Sequence, residues 1–385
     1  MSLQPVSASP VPFPAKRDLF KELGVRTFIN AAGTLTYMTG SLMHDYVLET
    51  IKDGAEEFCI LDELQDKVGE KIAAMVHSES AVVTSGAFSA MTLGLAGILT
   101  GMDQKKVEQL PHLEGTGMKS EVIIQKAHEI VYNHALKNTG CKIIYVETAE
   151  ELERAINDNT ALLHFLNIEA DKGKIMHEEW VAIGRKHGLP TSIDIAADVP
   201  PVSNLWKFND MGFDFVAISG GKAMRGPQSA GLLMGKKNIV AAARLHMPPR
   251  GFNVGRGMKV NKEEVLGMYV ALEKYIQQDH DKEWKEWEAT TAYIAGAVKP
   301  LPGVTTNTTV PALGNSTPTL DIGWNNGKIK LTGRELQEKL RFGAPSIEIG
   351  GVHDSSITVT VWMLKPGQEK IVAARIKEEL SKAAV

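Results

Sequence analysis

The stretch SGGKAMRGPQSAGLLMG (219–235) places a single lysine, Lys222, in a turn rich in glycine. The apolar runs FVAIS (215–219) before it and GLLMG (231–235) after it have the length and composition of buried strands. A lysine in a tight turn directly after a buried strand is poorly solvated. Since poor solvation lowers the pKa of the amine, such a lysine can act as a nucleophile or a base. The alternative is a solvated loop lysine, the usual state of this residue type.

Short apolar runs alternate with helical stretches through most of the chain. The predicted strands are AVVTS (81–85), EVIIQ (121–125), KIIYV (142–146), ALLHFLN (161–167), TSIDIA (191–196), FVAIS (215–219) and GLLMG (231–235). Continuous apolar strands with helices between them are typical of a mostly parallel sheet covered on both faces. The connection between the last two strands is short, so we expect them to form a hairpin at the edge of the sheet.

The sequence predicts four parts in the chain. We expect a mobile arm rich in proline over residues 1–18 and a segment of strands and helices over residues 19–75 that joins the small domain. A large α/β domain follows over residues 76–260. A smaller C-terminal α/β domain over residues 261–385 begins with a long helix and ends with SITVTVWM (356–363) and another helix.

Candidate binding residues lie at or near the ends of five of the predicted strands, with Asp194 inside the run TSIDIA (191–196). They are Ser85-Gly86-Ala87, His128, Asn167, Asp194 and Lys222, in chain order. Ligands of such sheets bind beyond the carboxyl ends of the strands, so these residues should meet at one edge. The phosphate-binding P-loop pattern GxxxxGK[ST] is absent at Lys222, and the dinucleotide-binding pattern GxGxxG does not follow the first strand.

Each of these residues has a functional and a structural interpretation. A glycine at a helix start can hold a phosphate, although Ser85 can equally be an ordinary helix cap. The imidazole of His128 can stack on an aromatic ligand or cap a helix. The carboxylate of Asp194 needs a cationic partner if it is buried, and that partner can be a structural arginine. Together, the lysine, the carboxylate, the stacking ring and the phosphate cradle describe a pyridoxal phosphate site.

Several longer motifs resemble fold type I pyridoxal-phosphate enzymes. The stretch GFDFVAISGGKAMRGPQSAGLLMGKK (212–237) is similar to the cofactor-lysine region of the group that contains bacterial selenocysteine synthase and D-glucosaminate-6-phosphate ammonia lyase. The stretches INAAGTLTYMTGS (29–41), TSGAFSAMTLGLAGILTG (84–101), IDIAADVPP (193–201) and GRGMKVNKEEVLGMYVALEKY (255–275) fit the same group. The resemblance spans roughly residues 20–385, and it implies a seven-stranded, mostly parallel sheet with a smaller C-terminal domain.

The resemblance also implies a role for each candidate residue. Lys222 would carry the cofactor covalently, Asp194 would pair with its ring nitrogen, and His128 would stack on its ring. The remaining contacts would come from Ser85, Gly86 and Ala87 at the phosphate, Asn167 near the ring hydroxyl, and Ser219. Related enzymes often carry a glutamine shortly after the aspartate, where this chain has Ala197 and Asp198, and SGG here replaces SGD before the lysine.

Two further arginines acquire roles from the same resemblance. Arg341 in the small domain would clamp a substrate carboxylate, with Arg225 and Arg250 as other candidates. Sites of this fold form across a dimer interface, so Arg256 in GRGMK (255–259) would reach the partner's phosphate. The resemblance therefore implies a homodimer or a higher homo-oligomer.

Composition excludes several classes of partner. The 385 residues carry a net charge of −4 without long basic runs, which argues against a nucleic-acid partner. No apolar run has the length of a membrane span. Two cysteines without a CxxC pair give neither a disulfide framework nor a metal site, and they suit a cytoplasmic protein.

The predicted reaction is an elimination on a small substrate. We expect a pyridoxal-phosphate lyase that removes water from a hydroxylated amino acid or amino-sugar acid and releases ammonia and a keto acid. The alternatives are a selenocysteine-synthase-type transferase, an epimerase and a catalytically silent binding protein. A transferase acting on tRNA would need an RNA-binding domain before the INAAG motif, and we expect none because that motif begins at Ile29.

Overall fold

The computed structural model describes residues 17–385, so the predicted mobile arm over residues 1–18 lies almost entirely outside the described residues. The strands are β1 (Ile29–Ala31), β2 (Ser80–Thr84), β3 (Glu121–Gln125), β4 (Lys142–Val146), β5 (Thr160–Leu166), β6 (Thr191–Asp194), β7 (Phe215–Ser219), β8 (Gly231–Gly235), β9 (Val304–Thr309), β10 (Thr319–Trp324), β11 (Ile347–Ile349), β12 (Val352–His353) and β13 (Ser356–Thr360).

The helices connect these strands and cover the sheets. They are α1 (Leu19–Glu22), α2 (Asp45–Ala55), α3 (Leu61–Met75), α4 (Gly86–Thr100), α5 (Gln104–Gln109), α6 (His134–Lys137), α7 (Ala149–Ala155), α8 (His177–His187), α9 (Asn204–Met211), α10 (Lys237–Leu245), α11 (Lys262–Gln277), α12 (His280–Val298), α13 (Gly333–Arg341) and α14 (Gln368–Lys382). In the part of the chain that the structure describes, no helix is both long and apolar enough to cross a membrane.

The main sheet has seven strands in the order β2-β8-β7-β6-β5-β3-β4. Strand β8 runs antiparallel to both of its neighbours, and the pairings among β7, β6, β5, β3 and β4 are parallel. This arrangement confirms the predicted α/β fold class. The expectation of a hairpin edge is wrong for β8, because β2 pairs with its other side. All five residues of β8 are buried, which suits an interior position in the sheet.

Apolar layers cover both faces of this sheet. One layer includes side chains of α3, α8 and α9, and the other includes α4 and α10. Helix α4 is buried along nearly its whole length between the sheet and α10. A Cβ atom on Gly97 of α4 would lie 2.7 Å from the backbone nitrogen of Ala243 in α10, so this close packing requires glycine. The packing fixes the direction of α4 and hence the position of its N-terminus.

A second sheet, in the order β12-β13-β10-β9, is antiparallel and lies in the C-terminal part. Its core includes residues of α12, α13 and α14 and of the parallel pair β1–β11. Strand β1 of the N-terminal segment thus packs with this part, whereas α3 of the same segment packs on the main sheet. The long helix α11 packs differently, because its apolar residues belong to the core of the large sheet. We therefore propose a domain boundary after α11, some residues later than the sequence predicts.

Candidate active site at the carboxyl edge of the main sheet

The strand order brings the predicted residues to one edge of the main sheet. Strands β3, β5, β6 and β7 are parallel, and β2 has the same direction because β8 is antiparallel to both β2 and β7. Their carboxyl ends therefore deliver the segments that contain Gly86, His128, Asn167, Asp194 and Lys222 to the same side. This is the edge at which such sheets bind ligands.

Lys222 lies in a turn directly beyond β7. Hydrogen bonds from Gly220 N to Ala230 O (2.9 Å) and from Arg225 N to Lys222 O (3.0 Å) hold this turn. Burial lowers the pKa of the Lys222 amine, while the nearby carboxylates of Asp194 and Asp198 partly oppose the shift. No described residue forms a hydrogen bond or an ion pair with this amine. A half-buried amine without a partner is in a state that favours covalent chemistry over solvation.

The glycines before Lys222 are required by close contacts. A Cβ atom on Gly221 would lie 2.4 Å from the Cα atom of Gln228, across the turn. The carbonyl of Gly221 also accepts a hydrogen bond from the backbone nitrogen of Ser41 (3.1 Å), which ties the N-terminal segment to the lysine turn. The SGG sequence therefore fits the turn for steric reasons, since an aspartate in place of Gly221 would clash with backbone.

Asp194 ends β6 and is almost entirely buried. Burial raises the pKa of its carboxyl group, and a hydrogen bond from Ala196 N to Oδ1 (2.8 Å) and the charge of Lys222 act in the opposite direction. Its second oxygen, Oδ2, has no hydrogen-bond donor among the described residues. A buried carboxylate with one open oxygen can accept a proton-bearing ring nitrogen of a ligand.

Asp198 is a site residue that sequence reasoning missed. It is 2% exposed, and its Oδ1 accepts a hydrogen bond from Gly314 N (3.1 Å). Burial raises the pKa of Asp198 to about 6, with a hydrogen bond from Asn167 opposing and the charge of Asp194 adding to the shift. The departure from glutamine near this position was the available signal, but the sequence does not show that the new carboxylate is buried beside a second one.

We expect the variant Asp198→Asn to stabilise the cofactor-free protein. Above pH 6 the folded state holds an ionised carboxylate that the unfolded state solvates better, whereas below the ordinary pKa both states are protonated. A rise from 3.8 to about 6 corresponds to about 3 kcal/mol at pH 8 and about half of that at pH 5. Urea unfolding at the two pH values measures this gain. The exposed Asp158→Asn is the control, and a gain independent of pH would contradict the assignment.

Asn167 lies at the carboxyl end of β5 and is buried. Its Oδ1 is 2.7 Å from Nε2 of His177, so it accepts a hydrogen bond from that ring. Its contact with Asp198 lowers the pKa of that carboxyl group. Asn167 therefore orients Asp198 in this structure, and its predicted contact with a ring hydroxyl stays a prediction.

The start of α4 provides backbone donors at the same edge. Ser85 is the N-cap residue but makes no capping hydrogen bond with its side chain, whose hydroxyl instead donates to Ser89 Oγ (2.9 Å). Gly86 has φ +86°, a conformation that favours glycine. The first N–H groups of this 15-residue helix, including that of Ala87, are thus available to an anion.

His128 is at the predicted edge, but its ring has no exposed surface. It packs edge-on against Phe165 with centroids 4.6 Å apart, and its Nδ1 accepts a hydrogen bond from Leu166 N (3.3 Å). Burial, followed by the charge of His177, lowers the pKa of His128 to about 4, so the ring is neutral. Stacking on a ligand therefore stays a prediction without an open ring face to support it.

Arg341, the residue predicted to bind a substrate carboxylate, already forms an ion pair with Glu348. Its Nε lies 3.0 Å from both carboxylate oxygens of Glu348, and its Nη2 lies 2.9 Å from Oε2. Arg26 also binds Glu348 (2.7 Å). Burial would raise the pKa of Glu348, but the two guanidinium groups outweigh it and lower that pKa. The structure therefore gives Arg341 a structural partner, because removing it would leave a buried carboxylate with only one counter-ion.

Two other predicted residues have less distinctive surroundings. Ser219 is the last residue of β7 and is paired with Gly231 of β8. The pairing of these two strands therefore places Ser219 at the carboxyl edge of the main sheet. Arg256 is exposed, and the loop around it packs on α4, because a Cβ atom on Gly255 would lie 2.6 Å from Leu93. Of the remaining candidates, Arg250 pairs with Asp62 (3.2 Å). The contact of Arg256 with a partner's phosphate stays a prediction.

A cavity of about 630 Å³ opens at the other edge of the sheet, near the start of β6 and the end of α4. Its lining includes Arg185, Asp214 and Lys236, and the last two form an ion pair with each other. Among the described residues that line this cavity, none is an unpaired lysine or an open carboxylate of the kind seen beyond β7. The chemistry of the side chains, and not the size of the cavity, therefore places the candidate site at the carboxyl edge.

The donor set at this edge fits pyridoxal phosphate. The amine of Lys222 lacks a partner, the buried Asp194 has one open oxygen, and the N-terminus of α4 has free N–H groups beside a glycine at positive φ. These three features match the aldehyde carbon, the ring nitrogen and the phosphate of the cofactor. Among the described residues, no group of three or more histidine, cysteine, aspartate or glutamate side chains could hold a metal ion.

Comparison with known proteins defines the class. Residues 60–338 match the aminotransferase class-V family, and the chain belongs to this family. Members of this family use pyridoxal phosphate. A solved structure of D-glucosaminate-6-phosphate ammonia-lyase superposes with a TM-score of 0.84 over 96% of this chain and 100% of that chain, at 24% identity, and so shares the fold.

Particular relatives carry different names. D-glucosaminate-6-phosphate ammonia lyase of Salmonella typhimurium is 25% identical over 380 residues, which is 95% of this chain and 99% of that protein. A 5'-C-glycyluridine monooxygenase-decarboxylase of Streptomyces sp. is 26% identical over 94% of this chain and 92% of its own length. L-seryl-tRNA(Sec) selenium transferase of Serratia proteamaculans is 30% identical over only 37% of this chain and 35% of its own. The predicted resemblance to this group is confirmed.

Proposed function

We propose that the protein is a pyridoxal-phosphate-dependent lyase. It eliminates water from a hydroxylated amino acid or amino-sugar acid and releases ammonia and a keto acid. The observation that carries the proposal is the half-buried amine of Lys222, which has no partner and lies near two buried carboxylates. The full-length similarity to an ammonia lyase supports the same class of reaction and an amino-sugar acid as the substrate.

Each residue at the carboxyl edge has a separate role in the proposed reaction. The cofactor supplies a ring that accepts electron density from the carbon next to the substrate amine. Asp194 would hold a proton on the ring nitrogen of the bound cofactor through Oδ2. Lys222, whose pKa burial lowers, takes the proton from the substrate carbon through its Nζ. Asp198 has a pKa of about 6 and lies near Lys222, so it is suited to give a proton to the departing hydroxyl oxygen.

The protein is also proposed to act as a homodimer or a higher homo-oligomer. Several large apolar side chains of the N-terminal half and of the loop after α10 are exposed, and they are Phe58, Ile60, Val131 and Phe252. A second copy that covers such side chains would remove them from water. Arg256 lies close to Phe252 in sequence, so the same contact would bring it near a partner's site.

The test is a product assay on the cofactor-loaded protein. We expect ammonia and a keto acid in equal amounts from one member of a panel that includes D-glucosaminate, its 6-phosphate and the two enantiomers of serine. Oxygen uptake and carbon dioxide release are followed in parallel, because a relative of similar identity is a monooxygenase-decarboxylase. Filter binding to seryl-tRNA at several salt concentrations completes the set.

Each contrary outcome identifies another reaction. Oxygen-dependent release of carbon dioxide without a keto acid would overturn the lyase in favour of oxidative decarboxylation. Inverted substrate without ammonia would indicate an epimerase. Salt-sensitive tRNA binding without any product from the panel would favour the transferase. A loaded protein that does none of these would be a binding protein.

A further inference from the structure

Arg225 is an unusual residue in the lysine turn. It has φ +49°, in the left-handed region that side chains with a Cβ atom rarely adopt. It lies three positions after Lys222, and the turn brings the two backbones together through the hydrogen bond from Arg225 N to Lys222 O (3.0 Å). A positive φ at a residue beside the candidate active site suggests that the site needs the arginine side chain at this position.

The guanidinium of Arg225 is half-buried but has no carboxylate partner. Its one hydrogen bond among the described residues goes from Nη2 to the carbonyl of Trp362 (2.8 Å). Glu283 and Tyr46 are near enough to influence the pKa of Arg225, but burial dominates and lowers it. No carboxylate oxygen of the described chain lies within 4.0 Å of the guanidinium. Buried arginine without an ion pair is rare, because the charge loses its hydration.

Hydroxyl groups without a hydrogen-bond partner lie in the segments next to the hydrogen bond between Arg225 and Trp362. The hydroxyl oxygens of Thr34 and Thr360 are buried and have no hydrogen-bond partner in the described structure. A Cβ atom on Gly33 would lie 3.8 Å from Thr360 Oγ1 and 3.9 Å from Trp362 Nε1. Thr34 follows Gly33, and the carbonyl of Trp362 binds Arg225, so the segments that carry the two hydroxyl groups and the guanidinium lie next to one another.

We propose that Arg225 binds the carboxylate of the substrate and that the hydroxyl groups of Thr34 and Thr360 complete this subsite. The fork of N–H donors matches two carboxylate oxygens, and the hydroxyl groups donate to the same oxygens or accept from a neighbouring substrate hydroxyl. The role first expected of Arg341 thus falls to an arginine beside Lys222. This inference rests on the proposed cofactor site at Lys222, and it names the group by which that site recognises its substrate.

The test uses two small probes that react with any lysine-bound pyridoxal phosphate. Aminooxyacetate carries a carboxylate, and O-methylhydroxylamine lacks one. The rate at which each removes the visible absorbance of the bound cofactor is measured for the wild type, Arg225→Gly, Arg225→Gln and the exposed control Arg154→Gln. We expect the wild type and the control to favour aminooxyacetate, and both Arg225 variants to lose about tenfold or more of that preference.

The glycine variant separates binding from folding. Glycine adopts φ +49° without strain, so we expect Arg225→Gly to retain its melting temperature to within about 3 °C. A wild type without a preference for aminooxyacetate, or Arg225 variants that keep the preference, would overturn the subsite. Absence of cofactor on Lys222 in the wild type, shown by borohydride reduction and peptide mapping, would instead refute the proposed function itself.

Discussion

The variant Lys222→Ala is expected to lose all turnover and all covalently held cofactor. No other described residue at the carboxyl edge offers an unpaired amine beside Asp194, so another group cannot take over the attachment. Losing the nucleophile and the base together corresponds to a rate loss of roughly a thousandfold or more. Borohydride reduction of the wild type, followed by peptide mapping, should place the pyridoxyl group on Lys222 and nowhere else.

Stability provides an independent readout for the same variant. Removing a half-buried amine without a partner should leave the cofactor-free protein at least as stable, because burial disfavours the charged form. Lys105→Ala, on the exposed face of α5, is the matched control and should change neither property. Label on any other lysine, or turnover retained by Lys222→Ala, would remove the basis of the site.

The variant Asp194→Asn is expected to bind the cofactor and to lose most of its turnover. The amide retains the shape and the hydrogen bond from Ala196, but it cannot stabilise a proton on the ring nitrogen. A charge-assisted contact that strengthens during reaction contributes roughly a hundredfold or more to kcat. Absorbance of the bound cofactor and steady-state kinetics measure the two effects separately.

The control for this variant is Asp158→Asn, which lies in an exposed loop. Retention of near-wild-type kcat by Asp194→Asn would show that this carboxylate is structural. Loss of the cofactor together with a drop in melting temperature would show the same, because the defect would then lie in folding. Only retained binding with reduced turnover agrees with the role proposed here.

The strands of the main sheet could be predicted from the sequence because their apolar runs are continuous. Strands β3, β4, β7 and β8 begin and end where the pattern indicates. The position of β8 could not be predicted, since pairing with β2 joins segments about 150 residues apart. The short connection between β7 and β8 predicts that these two strands pair. It carries no information on which strand pairs with the other side of β8.

The same limit applies to the surroundings of the candidate site residues. The positions of Lys222 and Asp194 at this edge could be predicted because Asp194 ends one strand and Lys222 closely follows another, so that topology alone places them. The burial of His128 depends on Phe165 from a different strand, and the occupation of Arg341 depends on Glu348 after an intervening turn. Asp198 matters because it is buried beside a second carboxylate, and Arg225 because no carboxylate pairs with it, and the sequence reports neither property.

The lysine turn is tied to distant parts of the chain by two hydrogen bonds. Gly221 accepts from Ser41, and the side chain of Arg225 donates to the carbonyl of Trp362, 137 residues further along. During synthesis the turn therefore emerges long before one of its supports exists. Contacts of such separation form late in folding, because a long loop must first be closed. We therefore expect the lysine turn to reach its final geometry only after Trp362 has been synthesised and packed.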